Sequence, residues 1–208
     1  MSPASLRPAT AYSRFIDSMA LDYERWREGI GYDLLALAQC SEEERRQIES
    51  LILPHAARDW RDVEALAALD TARARNALLD ALEHGGAEIR SAVLRFAPEL
   101  AEGKVRTAAL VQAIRTADVY AGLTATLAEV EKHHPREVID ALLQGVLDAP
   151  RVAAGHYAGM LLYLHGKASE PFDWDHRPFL LQFATDDREQ RKAPYQELLK
   201  RIGRTADL

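Results

Sequence analysis

A six-residue phrase returns at a spacing of 32 residues: Ala77-Leu-Leu-Asp-Ala-Leu82, Ala109-Leu-Val-Gln-Ala-Ile114 and Ala141-Leu-Leu-Gln-Gly-Val146. Each copy reads small, large apolar, large apolar, polar, small, large apolar. Apolar residues three and four apart share one face of a helix, so each copy marks one amphipathic helix. A period of this length belongs to stacked helix pairs, because one pair cannot bury its apolar face alone. The small residues at 77, 81, 109, 113, 141 and 145 let helix axes approach to roughly 8–9 Å.

The rest of the chain reads as helices with short breaks and no strand alternation. Ser41 and Glu44 form a capping box before a helix that runs to Pro54. Asp59-Trp-Arg-Asp62 opens the next helix, and Asp70 is expected to cap its partner, which ends at Gly85-Gly86. The spacing then pairs 88–97 with 105–115, and 119–132 with 136–147, before a helix over 152–164. Two prolines between Lys167 and Pro178 forbid a continuous helix there, and a final amphipathic helix runs from Gln190 to Ile202. No linker-like segment divides the chain. A single domain over residues 1–208 is expected, with N-terminal cap helices over 1–58, regular repeats over 59–166 and a C-terminal cap over 167–208.

Composition narrows the function classes. Hydrophobic residues make up 48% and charged residues 28% of the 208, as in an ordinary folded domain. The formal net charge of −6 runs against nucleic acid, whose binders carry a basic footprint, and favours a basic protein partner. Cys40 is the only cysteine, so no internal disulfide forms, and it reads as a small buried hydrophobe. The first residues lack the apolar core of a signal peptide, and the apolar run at 160–164 is far too short for a bilayer. A cytoplasmic protein with no membrane contact is therefore expected.

Chemistry-bearing motifs are few. Seven histidines include the adjacent His133 and His134, which point about 100° apart on a helix and do not converge on one ion. Glu131 and His134 form a single Glu-x-x-His element, where di-iron bundles need two. No metal and no cofactor is expected, and the usual phosphate-loop and serine-elbow sequences are missing. What stands out is an acidic-aromatic set: Asp59, Trp60 and Asp62, then Asp173, Trp174 and Asp175 beside His176. Tryptophan flanked by carboxylates suits an interface hot spot that receives Lys or Arg from a partner. Tyr23, Trp26 and Asp33, with Asp22 and Tyr32, mix the same residue types and read as a second rim. A purely structural account stands beside this one, in which Trp60 packs its helix and Trp174 plugs an open end.

The paired short helices, the small-residue stripes and the arginines near helix starts (Arg61, Arg90, Arg151) resemble HEAT-type repeats from about Asp59 to Gly166. That resemblance implies an all-α, right-handed solenoid of helix pairs with atypical N- and C-terminal caps. The flanking phrases Phe15-Ile-Asp-Ser-Met19, Gly29-Ile-Gly-Tyr-Asp33, Asp59-Trp-Arg-Asp-Val63, His165-Gly-Lys167 and Pro171-Phe-Asp-Trp-Asp175 resemble a group of bacterial HEAT-like proteins. That group is associated with interbacterial polymorphic-toxin loci. The resemblance implies a non-enzymatic immunity protein that covers the active site of a cognate, basic toxin domain such as a nuclease. The other readings are a HEAT-like DNA glycosylase or a lyase-type enzyme, and a passive scaffold. A face lined by Lys and Arg would favour nucleic acid, and a neutral or acidic face would favour protein.

Overall fold

The computed structural model describes residues 9–20, 22–55 and 58–204, and does not describe the side chain of Trp26. Thirteen α-helices and no strands are present among the described residues. The N-terminal part holds α1 (Ala11–Ser18), α2 (Tyr23–Glu28), α3 (Leu34–Gln39) and α4 (Glu42–Ile52). At the start of α4 the Ser41 side chain accepts from the Glu44 N–H while Glu44 accepts from the Ser41 N–H at 2.8 Å, the reciprocal cap read from the sequence. Cys40 lies buried just before it, and burial pushes its thiol pKa up.

Next come α5 (Trp60–Leu69), α6 (Ala72–His84), α7 (Ala87–Phe96), α8 (Gly103–Thr116), α9 (Leu123–Lys132), α10 (Arg136–Asp148) and α11 (Arg151–Leu164). The repeated phrase falls in α6, α8 and α10. Leu78, Ala81 and Leu82, then Ala109, Leu110, Ala113 and Ile114, then Ala141, Leu142 and Val146 are all buried. Helix α5 packs on α7, α7 on α9, and α9 on α11, while α8 packs on α10. Within the pairs, α5 meets α6 and α7 meets α8. The chain closes with α12 (Arg177–Leu180) and α13 (Arg188–Arg201), and α13 packs on α10. No helix among the described residues is long and apolar enough to cross a membrane.

Arginines finish several helix ends whose last carbonyls have no partner of their own. Arg90 of α7 donates to the carbonyls of Leu82 and Glu83 in α6. Arg191 of α13 is almost fully buried and donates to Val146, Leu147 and Ala149 at the end of α10, as well as to Thr185. Neighbouring helices are thereby joined by charge-assisted bonds as well as by apolar contact.

Three expectations are corrected. Asp70 adopts a left-handed φ of 53° and closes α5, and the Thr71 side chain caps α6 instead. The helix expected from Val119 begins at Leu123, because Asp118 and Gly122 close a tight turn with Gly122 at φ 82°. A side chain at Gly122 would collide with the backbone at Glu88, so this turn sits directly against the start of α7. Finally, α10 packs chiefly on α11 and α8 rather than on α9. At the α10–α11 contact a Cβ at Gly145 would lie 2.7 Å from the Tyr157 ring, so glycine lets α11 come this close.

Two glycines of α11 separate close packing from simple helix propensity. A methyl at Gly159 would collide with the Pro171 carbonyl oxygen, whereas at Gly155 the nearest atom would be 3.5 Å away. Gly159→Ala should destabilise the fold by about 1–3 kcal/mol through overpacking. Gly155→Ala should be neutral or stabilise it by up to about 1 kcal/mol, through helix propensity. Urea unfolding of the two variants checks this, and equal midpoints would contradict it.

Candidate functional site

The start of α5 is a buried polar knot. Asp59 caps the helix through the Arg61 N–H at 2.9 Å and clamps the Arg61 guanidinium at 2.9 and 2.5 Å. That guanidinium lies over the Tyr32 ring, 5.0 Å from its centre. The Tyr32 hydroxyl donates to Asp62 at 2.8 Å, and Asp62 is only 4% exposed. Burial raises the Asp62 carboxyl above its ordinary value, with the Tyr32 bond opposing. Asp62 is thus an internal acceptor that ties the Gly29–Asp33 segment to α5, and Asp59 is half-buried in the same knot. Asp33 likewise serves the backbone, capping α3 through the Ala36 N–H at 2.8 Å.

Trp60 points away from this knot. Its ring stacks on Phe96 of α7, with centres 6.2 Å apart and planes 17° from parallel. The pair forms part of an open groove of about 900 Å³ across α5, α7 and α9. Gly29 and Gly31 line one part of it, and Val119 and Tyr120 of the tight turn line another. Tyr120 is 95% exposed, the most exposed large apolar side chain among the described residues. Helical spacing of four sets Trp60 with Glu64 and Ala92 with Phe96 on the groove-facing sides of their helices.

Five charged residues line the groove. Glu129 is buried and already held by Arg106 at 2.6 Å and Lys132 at 2.7 Å. Arg95 lies over the Phe96 ring at 4.9 Å. Glu64 is half-buried and tucked beside Gly31, near the Trp60 ring edge. Burial raises its carboxyl pKa, with the positive charge of Arg95 opposing. Glu88 is raised by burial and then by the negative charge of Asp59.

The second predicted cluster lies elsewhere. The turn after α11 packs against that helix at Gly159, and α7 and α9 intervene between it and α5. There Asp173 organises the turn, accepting from the Ser169 N–H, the Ser169 hydroxyl and the Asp175 N–H at 3.0, 2.7 and 3.0 Å. These bonds hold its carboxyl down to about 2. Trp174 is 68% exposed with the Arg177 guanidinium 5.0 Å from its ring centre, and Asp175 is exposed. Tyr23 is also 68% exposed, under the Arg27 guanidinium. The Trp26 side chain, expected in that rim, lies outside the described residues.

The structure therefore separates the two acidic-aromatic sets and adds groove residues that sequence reasoning missed: Glu64, Glu88, Arg95, Phe96 and Tyr120. The turn was findable, since Asp118 and Gly122 are strong turn formers around two exposed apolar residues. Among the described residues no group of three or more His, Cys, Asp or Glu is placed to hold a metal ion. Comparison with known proteins found no matching family model, no similar curated protein and no similar solved structure.

Removing the Tyr32 hydroxyl leaves the buried Asp62 carboxylate unpartnered. Tyr32→Phe should cost about 1–3 kcal/mol at neutral pH. Asp62 then has a still higher folded-state pKa, so its penalty exists above the unfolded value of 3.8 and fades as pH falls toward it. Stability measured against pH should show the deficit shrinking on acidification. A deficit that grows there would contradict the assignment.

Proposed function

We propose that this chain is a non-enzymatic protein-binding module, built as a right-handed HEAT-like solenoid. In this reading it acts in the cytoplasm as an immunity protein that occludes the active site of a basic toxin domain. The observation that carries the reading is the open groove with the Trp60–Phe96 stack on one side and the exposed Tyr120 at its edge. Rigidly mounted aromatics that stand partly in solvent are typical anchors of protein interfaces. The lining carries Glu64, Glu88 and Glu129 against Arg95 and Lys132, a balance that supports protein over nucleic acid.

Occlusion needs no chemistry from this chain. The partner's catalytic cleft would be covered and its substrate kept out. The net charge of −6 would speed encounter with a cationic surface, and the buried aromatics would slow release. Trp174 and Asp175 would form a second, outlying contact on the turn after α11.

The test uses the product of the neighbouring reading frame in the native genome, co-produced with this chain. Trp60→Ala with Tyr120→Ala should weaken the complex by several hundred-fold, as two hot spots of about 2 kcal/mol each imply. Trp174→Ala with Asp173→Ala should cost less. Calorimetric affinities unchanged by the first pair would overturn the groove as the binding surface.

A further inference from the structure

The charges in the groove are unequally satisfied. Glu129 and Lys132 neutralise each other, with Arg106 as a second cation on the buried carboxylate. Arg95 rests on Phe96 and makes no ion pair among the described residues. The Glu64 and Glu88 carboxylates make neither a hydrogen bond nor an ion pair among the described residues, although both feel a desolvating wall. The Glu64 carboxylate packs against Gly31 close to the Trp60 ring edge: a Cβ at Gly31 would lie 2.5 Å from its oxygen and 3.6 Å from the ring. One carboxylate with spare acceptors thus lies alongside an indole that is partly open to solvent.

Such a pair has one well-matched ligand. An arginine guanidinium is flat and weakly hydrated, so it stacks on an aromatic ring, and its forked N–H donors fit a carboxylate. This chain already makes that arrangement internally, where Arg61 lies over Tyr32 while forking onto Asp59. A lysine ammonium satisfies the carboxylate but stacks poorly, and an apolar side chain leaves Glu64 unpartnered. Arg95 does not occupy the position, since its guanidinium is committed to the Phe96 ring.

Building on the groove reading, we propose that the Trp60 end of the groove receives an arginine side chain of the partner protein. The guanidinium stacks on the indole and forks onto Glu64. Glu88, elsewhere in the lining, adds long-range attraction and guides the basic side chain inward. The occupant is therefore a protein segment with an exposed arginine beside apolar residues.

Blocked pentapeptides of sequence Gly-Leu-X-Leu-Gly, with X as arginine, norleucine or glutamate, test this on the full chain by NMR, following the Trp60 indole N–H. The arginine peptide should shift that resonance and bind about tenfold more tightly than the norleucine peptide. Glu64→Gln should erase the difference while leaving the remaining spectrum in place, and Glu88→Gln should reduce it only slightly. If arginine and norleucine peptides bind alike, the arginine assignment falls and the groove reading stands. If a short single-stranded oligonucleotide shifts Trp60 where no peptide does, the assignment falls in favour of a nucleobase. If nothing shifts it, the arginine site is refuted, and the parent reading is judged separately by the Trp60 and Tyr120 affinities with the protein partner.

Discussion

Tyr157 ties together three helices that would otherwise only slide past one another. Its ring lies on Gly145 of α10, where no Cβ fits, and the side chain is fully buried in α11. Its hydroxyl donates 2.6 Å to the Ile114 carbonyl near the end of α8. Burial pushes the phenol pKa upward, with the charge of Asp118 adding to it, so the hydroxyl keeps its proton for that bond. Burying an aromatic of this size contributes on the order of 2–3 kcal/mol, and the hydrogen bond removes an orphan carbonyl from the cost side. Around it, Ala153, Ala154, Ala158 and Gly159 keep α11 slim enough for the closing turn to press against it. Of these helices, α8 and α11 in turn pack on α9, one of the helices that line the groove.

The groove itself depends on two irregular segments docked on α5 and α7. The segment carrying Gly29 and Gly31 is held by Tyr32, whose hydroxyl reaches Asp62 and whose ring carries Arg61. The turn carrying Tyr120 is held at Gly122, against the first residues of α7. Both anchors are buried or backbone-tight, and the second leaves Tyr120 in the opening. An exposed tyrosine on a fixed turn loses little conformational freedom on binding, which favours its use as an anchor. Asp59 and Asp62 have their part in this, since through Arg61 and Tyr32 they hold the start of α5, which carries Trp60.

The helical architecture was legible because period and small-residue spacing are local signals. The phrases at 77–82, 109–114 and 141–146 all lie on helices and bury the positions their pattern marks. The Ser41 box was legible for the same reason. Helix partnership was not, since nothing in the phrase at 141–146 says that Gly145 waits for Tyr157. The site was half legible. Trp60 was identified and does line a groove, but the sequence cannot tell an acid beside it that faces inward, such as Asp62, from one that faces the opening, such as Glu64. Two residues of helical phase, about 200°, separate them. Trp60 and Trp174 look equivalent in sequence, yet two helices stand between their elements.

The claim at the centre of this account is that partner binding happens on the α5–α7–α9 side of the helix row. Hydrogen–deuterium exchange of the protein alone and bound to the neighbouring-frame product measures that side directly. Exchange should slow most at residues 29–31, at the start of α5 and across the 117–122 turn, with a smaller change at the turn after α11. Protection confined to residues 167–176 or to the outer faces of α6 and α8, with the 117–122 turn unaffected, would contradict it.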